Sequence, residues 1–243
     1  LNALNIVLLA GKRAQAQLND GEYPEYLSDL NGKPLIHSLI DNCASLNPDK
    51  IICVLPKDDI TRLHLRNMVQ QMHPAAMVLP AFQETKGAAC TTLLASEQID
   101  NDGELLILNT SDILEIDLAQ AVQTFRDNTG EAGVVIFKSL HPRYSFVRLD
   151  NEGRVIEAAE KNPISPHAIA GVYWFRSGSL FVSAAKDMIR KDARVNDKFF
   201  ISPSLNELVL QHKKINAYRI EPAQYRPLKT QSQRQAFEAG SNP

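Results

Sequence analysis

Glu104-Leu105-Leu106-Ile107-Leu108 is the stretch that decides the fold. Four apolar residues in unbroken succession mark a short strand covered on both faces, as strands of a parallel sheet are. The same kind of signal recurs on the N-terminal side. Ile6-Val7-Leu8-Leu9 reads as a strand, as do residues 50–55 and 76–79. Helical spacing fills the intervals. Leu35, Ile36, Leu39, Ile40 and Cys43 share one side of a helix over 35–44, and helices are expected over 60–72, 87–96 and 118–126. Strands alternating with helices at this spacing form βαβ units around a parallel sheet, and right-handed crossovers put helices on both of its faces. The expectation is an α/β protein of three layers.

Beyond residue 130 the pattern changes. Strands are expected over 133–137, 145–149, 155–157, 169–175 and 215–220, with helices over 180–191 and 204–210. Asp150-Asn151-Glu152-Gly153 is polar, with glycine placed for a hairpin between two of these strands. The βα repeats therefore give way to a more antiparallel part. No internal repeat or low-complexity linker divides the chain, so residues 1–243 read as one domain. Gly240-Ser241-Asn242-Pro243 reads as a frayed end.

Composition excludes several classes. The 243 residues are 44% hydrophobic and carry a formal net charge of −2, with no basic excess to hold a nucleic-acid backbone. No apolar run reaches the roughly 18–20 residues that cross a bilayer. The opening Leu1-Asn2-Ala3-Leu4-Asn5 does not read as a signal peptide, and the missing initiator Met leaves a longer parent chain open. Cys43, Cys53 and Cys90 form no C-x-x-C pair, so a reducing, cytoplasmic setting is the default. The six histidines do not cluster as zinc ligands.

In open α/β sheets, ligands bind beyond the carboxyl ends of the strands. That directs attention to the loops after Leu9, around 24–32, around 85–87 and over 109–112. These loops carry recognisable segments. Leu9-Ala10-Gly11 leaves the first strand. Asn31-Gly32-Lys33-Pro34-Leu35-Ile36, Thr85-Lys86-Gly87-Ala88-Ala89 and Leu106-Ile107-Leu108-Asn109 follow. Further on come His141-Pro142-Arg143-Tyr144-Ser145, Glu160-Lys161-Asn162-Pro163, Ala170-Gly171-Val172-Tyr173-Trp174-Phe175 and Asn206-Glu207-Leu208. As an ordered set they resemble the sugar-phosphate nucleotidyltransferases of GT-A, Rossmann-like fold, and are most similar to bacterial members of capsule and surface-polysaccharide synthesis.

The resemblance implies a nucleotide side over about 1–130 and an acceptor side over about 131–243. It implies transfer of a nucleotidyl group from an NTP to a sugar or polyol phosphate, with pyrophosphate released and Mg²⁺ bridging the phosphates. By position it assigns Ala10, Gly11, Gly87 and Asn109 to the nucleotide. It assigns Glu160, Lys161, Gly171, Asn206 and Glu207 to the sugar phosphate. Nucleotide, sugar phosphate, a second copy of the chain or an active relative are the partners it suggests.

The charges depart from the family pattern. Laid over the glycine-rich G-x-G-x-R turn, the second glycine falls on Arg13 and the arginine on Gln15. The lysine of the P-K-x-L segment falls on Glu25, and the metal-binding aspartate falls on Ser111. Near the end, the family's L-G-T-P-E-D-L stands as Leu228-Lys229-Thr230-Gln231-Ser232-Gln233-Arg234. A carboxylate at position 25 faces where a triphosphate would lie. One like-charge contact at about 4 Å costs roughly 4 kcal/mol at an effective dielectric near 20. Lys12 and Arg13 are the residues able to replace the lost arginine, and Asp112 or Asp117, with Glu115, the lost metal carboxylate. Tyr26 reads as a bulky side chain at the pocket mouth.

Three readings follow. One is a divergent nucleotidyltransferase working with Mg²⁺ through Lys12, Arg13 and Asp112. Another is a family member with impaired or lost catalysis that binds a nucleotide sugar or sugar phosphate, alone or as a regulatory subunit. The third is a GT-A glycosyltransferase using Glu115 and Asp117 as its metal pair.

Overall fold

The computed structural model describes residues 3–10, 23–30 and 32–227. In chain order the strands are β1 (Leu4–Leu9), β2 (Asp29–Leu30), β3 (Lys33–Pro34), β4 (Lys50–Pro56), β5 (Ala76–Ala81), β6 (Glu104–Asn109) and β7 (Asp112–Leu114). They continue with β8 (Ala132–Lys138), β9 (Ser145–Leu149), β10 (Val155–Glu160), β11 (His167–Phe175), β12 (Ile215–Arg219) and β13 (Tyr225–Pro227). The helices are α1 (Leu35–Ala44), α2 (Lys57–Arg62), α3 (Leu65–Met72), α4 (Ala88–Leu93), α5 (Ser96–Ile99), α6 (Leu118–Asp127), α7 (Gly178–Arg190) and α8 (Ser204–Leu210).

Among the described residues, nine strands form one sheet in the order β10-β9-β11-β6-β1-β4-β5, with β8 also on β11 and β12 on β8. The β6-β1-β4-β5 portion is parallel throughout. β11 runs antiparallel to β6, β8 and β9, and β9 and β10 form the expected antiparallel hairpin. Chain order reverses where β1 stands between β4 and β6. That is the topological switch point at which an open α/β sheet leaves a crevice beyond its strand ends.

Alternation along β1 builds the two cores. Ile6 and Leu8 join the apolar layer that contains α1, α3 and α6. Val7 and Leu9 join the opposite layer, with α5, α7 and α8. The mostly parallel sheet is thus sandwiched between helices, the α/β three-layer arrangement expected from the sequence. In α1 the buried residues are Leu35, Ile36, Leu39, Ile40 and Cys43, the stripe that the periodicity had marked.

The structure corrects two helices. The helix expected over 60–72 is broken into α2 and α3 at His64, whose φ is 51°. Ile60, Leu65 and Val69 are the residues it buries. The five-residue step from Ile60 to Leu65 is out of phase with a 3.6-residue turn, and the left-handed residue resets it. The helix expected over 87–96 is divided between α4 and α5. The antiparallel pair β7 and β13 was not legible, since three residues on each side carry no periodicity.

A polar knot ties three elements together. Glu104 of β6 accepts from Trp174 Nε1 of β11 at 3.0 Å and forms an ion pair with Arg126 of α6 at 2.9 Å. Trp174 itself is fully buried, as its apolar strand suggested.

Candidate functional site

A cavity of about 500 Å³ opens beyond the carboxyl ends of β1, β4, β5 and β6, and β9, β10 and β11 complete its wall. Leu9 and Ala10 line it at the end of β1, and Asn109 and Ser111 at the end of β6. Thr110 between them points inward. Its N–H and its hydroxyl both donate to the Leu9 carbonyl at 3.0 Å, clamping the ends of β6 and β1 together.

Glu25 also lines the cavity. Its neighbour Tyr26 does not fill the mouth as expected. Tyr26 is 3% exposed, packs in the core, and donates from its hydroxyl to Asp59 Oδ2 at 2.8 Å. Burial and the Asp59 charge push its phenol above the usual range. An aromatic ring beside an alternating apolar stretch goes to the core, and its polar tip then needs a partner.

Gly87 lies on the cavity wall with φ 112°. A Cβ there would come within 2.3 Å of the Phe199 carbonyl oxygen, so the glycine is required by backbone contact. Phe199 N–H donates to the Lys86 carbonyl at 2.6 Å, and Ala89 N–H to the Phe199 carbonyl at 3.0 Å. Beside this loop Lys198 pairs with Glu84 at 3.6 Å, and the Lys57 ammonium stands 5.1 Å over the Phe82 ring.

Asp112, one residue past Ser111, is 1% exposed and lies behind the cavity wall rather than lining it. Asn109 Nδ2 donates to its Oδ2 at 3.4 Å, and Tyr225 hydrogen-bonds to it from β13. Burial first, and then the Asp112 charge, push the Tyr225 phenol well above its ordinary value. Gly171, with φ 72°, faces the same carboxylate. A register shift between Ile169 and Tyr173 accompanies it in β11.

The opposite wall carries Arg143, Tyr144, Ser145, Glu160, Tyr173 and Tyr225. Glu160 Oε2 accepts from Ser202 Oγ at 2.8 Å and from Ser145 Oγ by a very short hydrogen bond. Burial first, and then the Glu160 charge, raise the Tyr173 phenol above the usual range. Arg143 stacks on Tyr144 at 5.1 Å. Lys161 adopts φ 54° and stands 5.1 Å over the ring of Phe200, another lining residue.

A profile described as "Nucleotidyl transferase" matches residues 12–221. The chain belongs to this nucleotidyl transferase family. It is 22% identical over 222 residues to the UTP–glucose-1-phosphate uridylyltransferase AglF of Haloferax volcanii, covering 89% of this chain and 87% of that one. It superposes on a nucleoside-diphosphate-sugar pyrophosphorylase of Vibrio cholerae with a TM-score of 0.82 at 18% identity, over 96% and 98% of the two chains. A putative glucose-1-phosphate thymidylyltransferase of Bacillus anthracis, solved with sucrose, matches with a TM-score of 0.75 at 16% identity, over 98% and 95%.

Of the nucleotidyl transferase positions marked in the sequence, the structure brings Ala10, Glu25, Gly87, Asn109, Ser111, Glu160 and Gly171 to one cavity. Gly11, Lys12, Arg13, Gln15 and the segment 228–234 lie outside the described residues. Asn206 and Glu207 do not line the cavity. Asn206 bonds the backbone of Ala158, and Glu207 is 6% exposed and paired with Lys191 at 2.6 Å. Tyr225 is one of several lining residues that no quoted segment contained; Lys57, Phe82, Lys198 and Phe200 are others. The signal of Tyr225 is absent from the sequence because β13 reaches the site only through pairing with β7.

Among the described residues, the end of β6 does not turn toward the cavity the carboxylate that the family's Mg²⁺ takes at this place. Mg²⁺ takes one or two carboxylates together with substrate phosphates. The end of β6 turns a hydroxyl, Ser111, and a carboxamide, Asn109, toward the cavity. Asp117 instead caps α6, accepting from Gln120 N–H at 3.0 Å, and Glu115 pairs with Arg226 at 3.1 Å. Among the described residues, no three His, Cys, Asp or Glu side chains converge as a metal site. No helix among them is long and apolar enough to cross a membrane.

Proposed function

We propose that the cavity takes a nucleotide sugar or a sugar phosphate, and that nucleotidyl transfer from an NTP is impaired or lost in this chain. The observation that carries the reading is at the end of β6. Ser111 faces the cavity, while the next carboxylate, Asp112, is buried against Asn109 and Tyr225. Glu25 adds negative charge to the wall on which the resemblance places a phosphate-binding lysine. A transferring phosphoryl group is stabilised by positioning and opposite charge, and both are weakened here.

The acceptor half offers groups suited to a sugar phosphate. Glu160 offers a carboxylate for sugar hydroxyls, aromatic rings of Tyr144 and Tyr173 offer apolar faces, and Arg143 offers a guanidinium to an anion. The protein acts as one domain in the cytoplasm, within surface-polysaccharide synthesis, as a binding or regulatory partner of an active relative or of a second copy. The engagement of Glu115 and Asp117 elsewhere gives the glycosyltransferase reading no support.

Calorimetric titration with ATP, CTP, GTP, UTP and dTTP, with and without Mg²⁺, tests the reading. No metal-dependent micromolar binding is expected, while UDP-glucose or α-D-glucose 1-phosphate binds without metal. Mg²⁺-dependent binding of one NTP, with pyrophosphate released on adding a sugar phosphate, overturns it.

A further inference from the structure

Asn206 reaches the site through β10. Its Oδ1 accepts from Ala158 N–H at 2.8 Å, and its Nδ2 donates to the Ala158 carbonyl at 2.8 Å. A carboxamide so placed imitates one residue of a neighbouring strand. Ala158 and Glu160 are two residues apart, so their side chains leave the same face of β10. Four residues before Asn206, the fully buried Ser202 donates to Glu160 Oε2 at 2.8 Å. Ser145, the register partner of Glu160 across β9 and β10, donates to the same oxygen. The segment ending in Asn206 thus holds β10 twice, by its backbone at 158 and by its side chain at 160.

We infer that Asn206 and Ser202 are positioning residues that fix the Glu160 carboxylate in the cavity wall as an acceptor for the hydroxyl groups of a sugar-bearing ligand. The ligand class rests on the function proposed above; the positioning rests on the hydrogen bonds alone. A glutamate without such support distributes among rotamers and must be ordered when ligand binds. Two donors on one oxygen remove that freedom beforehand.

The test uses the full chain with Asn206→Ala, Asn206→Asp, Ser202→Ala and Glu160→Gln. Binding is measured by calorimetry with UDP-glucose and α-D-glucose 1-phosphate. Side-chain order at Glu160 is followed by ¹³C relaxation in every variant that retains the glutamate. Glu160→Gln is expected to weaken binding about tenfold or more, the scale of one charge-assisted hydrogen bond. Ser202→Ala and Asn206→Ala weaken it about threefold to tenfold and loosen the Glu160 side chain, because donors that hold one rotamer are lost or displaced. Asn206→Asp keeps the acceptor for Ala158 N–H and lies between Asn206→Ala and the parent chain. Glu160 side-chain order unchanged in both Ser202→Ala and Asn206→Ala overturns the positioning, whatever the binding shows. Failure of the parent chain to bind either probe, or equal binding by Glu160→Gln, overturns the ligand class while the side-chain order at Glu160 still decides the positioning.

Discussion

Asp112 and Gly171 share one space: a Cβ on Gly171 would stand 2.8 Å from Asp112 Oδ2. The glycine also holds φ 72°, a region that side chains disfavour. Gly171→Ala therefore meets a backbone cost of about 1–3 kcal/mol and a steric one besides. For a chain of this size each kcal/mol lowers the melting midpoint by about 2–4 °C. Calorimetric melting should show a fall of that order or more. Adding Asp112→Ala should recover part of it, which a double-mutant cycle measures.

The sheet and its layers were legible because burial imposes a period. A strand covered on both faces must be continuously apolar, and α1 must place Leu35, Ile36, Leu39, Ile40 and Cys43 together. The ligand end was legible to the extent that it lies in loops following those strands. What was not legible depends on pairings distant in sequence. Tyr225 reaches Asp112 only because β13 lies on β7. Tyr26 finds Asp59 across 33 residues, so it settles in the core and leaves the cavity mouth to Glu25.

The Glu104 knot supplies a second prediction. Its carboxylate is 8% exposed and is held by Arg126 and Trp174. Arg126→Met leaves that charge buried without its cation, which costs about 3–5 kcal/mol. The urea midpoint should fall accordingly. Glu104→Gln in the same background should restore part of the loss, since a neutral amide is less costly to bury than an unpaired charge.

Alkaline stability reports the buried tyrosines. Tyr26, Tyr173 and Tyr225 keep their protons to higher pH than free tyrosine, burial being the largest cause in each. The unfolded chain releases these protons near pH ~10 while the folded chain retains them. Their contribution is therefore complete below that pH and is lost as pH rises toward the folded values. Each group adds a slope of about 1.4 kcal/mol per pH unit in that window. Urea unfolding at successive pH values above 10 should show Tyr225→Phe losing stability less steeply than the parent chain.

Restoring the family's charges reverses the donor side. The triple variant Gln15→Arg, Glu25→Lys, Ser111→Asp replaces a like charge by attractive ones and adds a carboxylate at the cavity wall. UTP affinity in Mg²⁺ should rise by roughly tenfold or more, given the several kcal/mol that close charges carry at intermediate dielectric. A decrease in an existing Mg²⁺-dependent activity would mean that the site works through a different set of charges.

β10 stands at one end of the sheet, where unpaired backbone groups invite another chain to add a strand. At Ala158, in the middle of that strand, the outward N–H and carbonyl are already occupied by one carboxamide. The same side chain that steadies the cavity wall therefore closes the sheet to extension. Its removal would leave the Ala158 N–H and carbonyl unpaired at a buried position of the strand. Lower stability, from two buried backbone groups left without partners, is a consequence to follow in Asn206→Ala.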